Sequence, residues 1–593
     1  MRYALTLAAV PACLVALSSV TASAADEAEL ERVRSAVAEA IAPSDDPEMP
    51  RLELAEPVSA AWRGEHIVVS LKQAKLVEPA EQAELVIGDI ELAVLPQGDG
   101  RYAFDVAMPQ RFEALEHGVP EGAVTISTYK IGGIWAAEVG SLVKLDLSLA
   151  GIEVQDLTPE TTNFGAVLGT LDARLDYSKG VDGLWSGTSS LNLAGLKVHT
   201  EDSPGESDDF MLAALESSST TKGWDWNTWH KLAAKLEQSV TPGATPLTDE
   251  EKKALANEVR SINWGANDGV MTLKGLSVGA AGEHLFDLGE FTWKLGFDGA
   301  NDAGPLSMRL SMAGLAVTEN ELPPNLAPSK AAFDVTLEQF PMRAFLGSML
   351  SQFIVATSMA PESAPAPAEE GEPTPDGSDG MGMDEPAEPE MTEPEMVEPE
   401  MTEPEMAEPE MAEAEPAEAE PQSPGPGEAP DYADEPGYQD EYPDEYDDSG
   451  ETPPSDEYGG APMMGPLPMD DPFFQSVFAL GTAIVLNELS VDAASAGMVA
   501  SGRVDVDPEA IGMGTGKVKA TLRGIDSVLA YVESEARSQP DMKDISTFLI
   551  FLKGLGRAEV GANNEIVYVY DINVPKDEPP TVNGYLIDDM MFE

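Results

Sequence analysis

Leu147-Ser-Leu-Ala-Gly151-Ile-Glu-Val154 is the stretch whose reading decides the fold. It alternates apolar with small or polar residues around one glycine, and it recurs. Leu191-Asn-Leu-Ala-Gly195-Leu-Lys-Val198, Met271-Thr-Leu-Lys-Gly275-Leu-Ser-Val278 and Leu310-Ser-Met-Ala-Gly314-Leu-Ala-Val317 repeat it closely, and Thr521-Leu-Arg-Gly524-Ile-Asp-Ser-Val528 repeats it loosely. Period-two alternation is the pattern of a strand with two unlike faces. A glycine inside such a strand marks a bulge, a bend or a close backbone approach. The glycines are spaced by 44, 80, 39 and 210 residues, so the copies are not a solenoid of fixed period. They read as sheet segments, each bent at the same place.

Outward from these copies the strand pattern continues. His66 to Ser70 and Leu85 to Val94 alternate, and the turn Gly98-Asp99-Gly100 leads into Tyr102 to Val106. Ala123 to Tyr129, Ile134 to Val139, Met498 to Val506, Gly516 to Leu522 and Glu565 to Val574 follow the same rule. Helices are expected at Glu27 to Ala42, at Asp208 to Ser217, at Trp224 to Val240 and at Asp544 to Leu555. A Thr248–Glu251 capping box opens another through Leu255 and Val259. The expected fold is mainly β with packed helices (α+β): an extended, mostly antiparallel sheet of glycine-bent strands, interrupted by a long disordered acidic insert.

That insert separates two apolar helix candidates. Pro341 to Ser358 presents Phe345, Met349 and Phe353; Asp470 to Glu488 presents Phe474 and Phe478, with Pro472 in its first turn. These five are the candidate ligand-facing apolar residues. Trp224, Trp226 and Trp229 are the candidate exposed aromatics, a cluster suited to stacking on sugar or lipid, or to fastening a helical cap onto the sheet.

Between the two helices, from Pro361 to Gly460, stand 35 Asp or Glu and no Lys or Arg. The repeat AEPEM starts at Ala387 and runs through TEPEM, VEPEM, TEPEM and AEPEM. Proline every five residues blocks both helix interior and central strand, and one methionine per repeat buries too little to offset the ordering entropy, roughly 1–2 kcal/mol of backbone per residue. The expectation is a solvated spacer, with a basic partner or divalent cations as the alternative. Net charge is −72; this stretch supplies −35 and leaves −37 on the rest. An acidic body argues against nucleic acid, whose binders carry a basic footprint.

Residues 1–24 read as a secretory signal: Arg2, an apolar run from Ala4 to Val20, then Ala22-Ser23-Ala24. Cys13 is the sole cysteine and would leave with it, so the exported, periplasmic product would hold no disulfide and no cysteine zinc site. The expected organisation is signal peptide 1–24, a β-rich domain 25–359 with a helical insertion near 207–260, the insert 360–469, and an α+β part 470–593 completing the same fold.

Chemistry is sparse. The 5 histidines are far apart, no serine sits in G-x-S-x-G, and Gly512-Met-Gly514-Thr-Gly516-Lys517 lacks the spacing of a phosphate loop and reads as an inter-strand turn. Asp505-Val-Asp507-Pro-Glu509 and Asp298-Gly-Ala-Asn301-Asp302 offer oxygens without the full calcium-loop pattern. No catalytic, cofactor or metal residue is assigned.

The leader, the many amphipathic strands, the Gly-Φ-x-Val copies and a strand pair closing on Thr581-Val582-Asn583-Gly584 resemble uncharacterised proteobacterial periplasmic or envelope families, long β-rich chains of unknown function. The resemblance spans roughly 50–355 and 470–593; it implies location and broad architecture and supplies no active residue. The leading functional expectation is a noncatalytic envelope binding or scaffold protein taking a lipid or other apolar ligand along a curved sheet. The alternatives are an interaction protein that uses the acidic tract as spacer, and a hydrolase of an envelope polymer.

Overall fold

A computed structural model describes residues 27–42, 50–78, 83–157, 163–203, 206–240, 248–280, 283–318, 323–358, 472–511, 513–537, 539, 542–561 and 564–586. Residues 1–24, read from sequence as a secretory signal, the acidic stretch 361–460 and Asp470 lie outside these residues, and so does the side chain of Phe353.

The chain opens with helix α1 (Glu27–Ala40), then β1 (Arg51–Glu53), β2 (Ser59–Arg63), β3 (His66–Glu78), β4 (Ala83–Gly98), β5 (Arg101–Ala107), β6 (Arg111–Glu116), β7 (Val119–Ala136), β8 (Ser141–Asp156), β9 (Asn163–Lys179), β10 (Trp185–Ser203) and β11 (Glu206–Trp224). Helices α2 (Trp226–Val240) and α3 (Asp249–Ser261) precede β12 (Ala266–Ala280), β13 (Glu283–Asp298), β14 (Gly304–Val317) and β15 (Lys330–Phe340). Next come α4 (Met342–Ser358), α5 (Pro472–Leu480), β16 (Ala483–Asp492), β17 (Gly497–Val506) and β18 (Gly514–Arg523). The chain closes with α6 (Ile525–Glu535), α7 (Met542–Leu555), β19 (Arg557–Val560), β20 (Ile566–Val574), β21 (Thr581–Val582) and β22 (Tyr585–Leu586).

Among the described residues all strands join one 22-stranded sheet. From β7 to β18 each pairs antiparallel with the next, and β18 continues to β20. Before β7 the pairing is more tangled: β3 takes β1, β2 and β4, while β4 and β5 skip one strand to reach β6 and β7. Among the described residues no pairing joins β1 or β2 to β19–β22. β15 pairs with β16 through Lys330↔Asp492 to Glu338↔Ala483, so the sheet runs on across the interval 341–482.

The largest core gathers on β3–β9 beneath α1, with Ile67, Val69, Val94, Tyr102, Phe104 and Trp135 all but inaccessible. Its one buried carboxyl, Glu29 of α1, accepts from Tyr102 Oη at 2.8 Å and pairs with Arg32 at 2.9 Å. Burial and then this carboxyl hold the Tyr102 phenol far above its usual range. A charge taken out of water needs such partners, and here they pin the helix to the sheet.

Several expectations change. Asp208 to Ser217 is not helical but lies in β11, because β10 and β12 pair with it on both sides. Trp224 ends that strand, and α2 starts two residues later. The helix expected from Asp470 to Glu488 stops at Leu480; Gly481 takes φ +67 and β-branched Ile484 and Val485 go to β16. Ile134 is the end of β7 and not the start of a new strand. Gly514 to Lys517 belong to β18 and not to a turn. Thr521 to Val528 is not a continuous strand, since Gly524, at φ +67, ends β18 and opens α6.

Candidate functional site

The register places the glycines of the four close copies on one line across the sheet, with Gly524 of the loose copy apart from it. Ile126↔Ile152 and Thr128↔Ala150 put Ser127 opposite Gly151, and the same reasoning carries the line through Gly169, Gly195, Ala213, Gly275, Gly289 and Gly314. Gly151, Gly195, Gly275 and Gly314, on alternate strands, have φ between 58° and 72°. At Gly275 a Cβ would stand 2.8 Å from that of Ala213, and at Gly314 it would stand 3.1 Å from the backbone of Gly289, so no larger residue fits without displacement.

Two apolar rows flank the line. The first runs strand to strand through Tyr129, Leu149, Leu171, Leu193, Leu215, Leu273, Phe291, Met312, Ala331, Val491, Met498, Leu522 and Tyr568, each a cross-strand partner of the next. The second is Ile126, Ile152, Leu168, Leu196, Leu212, Leu276, Leu288 and Leu315. On every strand the apolar phase slips at the line, as in Leu149 to Ile152 or Leu273 to Leu276: three residues where plain alternation gives two. The slip does not divide the apolar surface. Leu149 with Ile152, Leu168 with Leu171, and Leu193 with Leu196 belong to one contiguous cluster.

The intervening positions are largely small or polar and carry ion pairs, among them Lys274 with Glu216 at 2.8 Å and Arg309 with Asp334 at 3.3 Å and Glu488 at 3.5 Å, though Val167, Met211 and Val499 also stand there exposed. One face is thus apolar over many strands while the other carries the ion pairs. The apolar face is closed at its two ends, where Leu149 is 4% and Tyr568 7% exposed. Between them Leu193, Leu215, Leu273, Phe291 and Met312 are half-buried, and Leu191 and Trp293 reach 38% and 40% exposure.

The side chains singled out from sequence sit at the ends of strands. Phe345 packs on Phe340 at 5.4 Å and on Phe473 at 5.3 Å, and Phe474 on Phe473 at 5.2 Å, so α4 and α5 meet over the end of β15. Met349 and Phe478 are half-buried on the same two helices. Trp224 and Trp226 stack at 5.0 Å, Trp226 turns its edge to Trp185 and Tyr177, and Trp229 meets Trp264 at 5.2 Å. All three are half-buried by these partners instead of standing out in solvent. The leucine rows were not recognised as a site from sequence; the phase slip in each copy was their only visible trace.

Reactive groupings are thin. Among the described residues no three His, Asp or Glu gather to hold a metal ion. Lys576 takes Asp507 at 2.9 Å and Glu509 at 2.8 Å, its hydrogen bond holding the Asp507 carboxyl below its usual range; Asp505 takes Arg503, and Asp302 takes Arg343. Both acidic turns thus spend oxygens on cations of their own chain. Among the described residues no helix is long and apolar enough to cross a membrane. No protein-family model, no curated protein and no solved structure matches the chain.

Proposed function

We propose that this chain is an exported, noncatalytic envelope protein that binds a lipid or similar amphiphile along the apolar face of its sheet. The observation that carries the reading is the first apolar row, half-buried from β10 to β17, with the second row beside it as far as β14. A soluble fold that leaves so wide an apolar band incompletely covered gains by covering it, at about 25 cal/mol for each Å² removed from water. Alkyl chains laid across the strands match the band's shape, which is long, continuous and without charge.

On this reading the glycine line is where the strands bend, so that the rows on either side of it close toward one another as a trough. The leader sequence and the absence of cysteine after Cys13 support export, and the resemblance to periplasmic families supports the envelope. A second reading keeps the acidic insert as a spacer or partner-binding segment; it is favoured by the packing of α4 on α5, which anchors the chain on both sides of it.

Native mass spectrometry of the full-length protein from its own host, with lipid extraction, tests the proposal. Stoichiometric lipid is expected. Protein that is folded, empty and still empty after incubation with diacyl lipids would sink it and return attention to the insert.

A further inference from the structure

The middle turns of α7, Ile545 to Leu552, carry no charge, yet no side chain of that helix is buried. Its inner side is held in place. Leu552 and Leu555 pack on Tyr568 and Tyr570, the Tyr570 hydroxyl donates to the Leu552 carbonyl at 2.9 Å, and Lys553 pairs with Asp526. Tyr568 and its cross-strand partner Leu522 end the first row, so α7 sits on the apolar face where that face closes. Its outer side is open: Phe548 is 59%, Ile550 53% and Phe551 40% exposed. A helix that is apolar all round belongs in a core or against lipid.

Length and charge say what covers it. Its 14 residues span about 21 Å, too short to cross a hydrocarbon core of about 30 Å but enough to lie in its surface. Within 537–557, Arg537, Lys543, Lys553 and Arg557 stand against Asp541 and Asp544, whereas the whole chain has 34 basic and 106 acidic residues. Lys553 and Arg557 are taken by acids of the chain. Arg537 and Lys543 are exposed, make no ion pair among the described residues, and precede the uncharged turns. Such cations suit phosphate oxygens beside an apolar surface. A second copy of the chain would bring another −72 of charge to the contact and repel it, while a zwitterionic bilayer brings no net charge.

We propose that the outer side of α7 is a docking surface for a phospholipid bilayer, with Phe548, Ile550 and Phe551 entering among the headgroups and Arg537 and Lys543 meeting their phosphates. Its link to the first row rests on the sheet being an amphiphile cradle; α7 then marks the end at which that cradle meets a membrane.

Flotation of the full-length protein from its own host with vesicles of phosphatidylcholine and phosphatidylethanolamine tests it. The parent should float with the vesicles. Phe548→Ser with Phe551→Ser should weaken that binding about tenfold. The urea midpoint should stay level because neither side chain is buried, and lipid retained in native mass spectrometry should stay too. Lys543→Glu, a change of surface charge alone, should weaken vesicle binding by a smaller factor. A parent that does not float, or a double variant that floats as the parent does, would overturn the docking surface while the cradle stands. So would a parent that is dimeric on size exclusion and made monomeric by the two serines, since the ridge would then belong to a second copy. A parent that floats but retains no lipid would overturn the cradle and leave the docking surface.

Discussion

At Gly275 two demands meet in one residue: a φ of +58° that L side chains seldom adopt, and a neighbour 2.8 Å from where a Cβ would be. The left-handed conformation costs a non-glycine residue roughly 1–2 kcal/mol, and the contact adds to it. Gly275→Ala should therefore lower stability by about 2–3 kcal/mol. Gly64→Ala, at φ +70 with nothing within 4 Å, isolates the backbone part alone. Equal urea midpoints for the two variants would show that close packing on the glycine line contributes nothing. Tyr570 makes a prediction in pH. Its hydroxyl donates to the Leu552 carbonyl at 2.9 Å, and burial first, then Tyr568, push its phenol up to about 12. A pKa raised on folding means that the stabilisation is complete below the unfolded value, about 10, and is lost as pH climbs through the folded one. Thermal midpoints should hold to about pH 10 and fall toward 12 as phenolate absorbance rises, and Tyr570→Phe should reduce that fall.

Among elements, those with local causes were legible. The helix at Asp249–Ser261 follows from Thr248 and Glu251, which form the reciprocal capping box, the Glu251 N–H reaching Thr248 Oγ1 at 3.3 Å. Thr248→Ala should cost about 1 kcal/mol, seen as earlier exchange of amides in the first turn of α3 with the sheet unaffected. Four of the five glycine copies were legible as strands because alternation is local too; the fifth breaks at Gly524, where α6 begins. What misled was the line itself: at Ala213 the apolar phase slips, Leu212 and Leu215 fall three apart, and β11 imitates a helix. Gly169 and Gly289 went unread for another reason. They stand between the copies, and only cross-strand register, a tertiary fact, brings them to Gly151, Gly195, Gly275 and Gly314. The candidate site divides the same way. Its aromatic clusters were visible as composition; its rows needed every strand aligned.

For the molecule as a whole, the rows predict that charge on the apolar face harms binding before it harms the fold. Leu193 and Leu273 are half-buried in the first row. Leu193→Asp with Leu273→Asp should abolish lipid retention in native mass spectrometry while the far-ultraviolet circular dichroism keeps its β signature; retained lipid would place the ligand elsewhere. The meander has a further consequence, in the order of assembly. From β8 to β18 each strand needs only the one before it, so the sheet can lengthen hairpin by hairpin from β7 as a growth front, much as linear repeat arrays do. That front pauses once for a long interval, at β15, whose next partner lies beyond 341–482. A chain divided within that interval would leave Lys330–Phe340 as a bare edge with one matching strand in the other piece. Two fragments made separately, 1–360 and 462–593, should thus find each other through the β15–β16 register, making this a protein that can be built in halves.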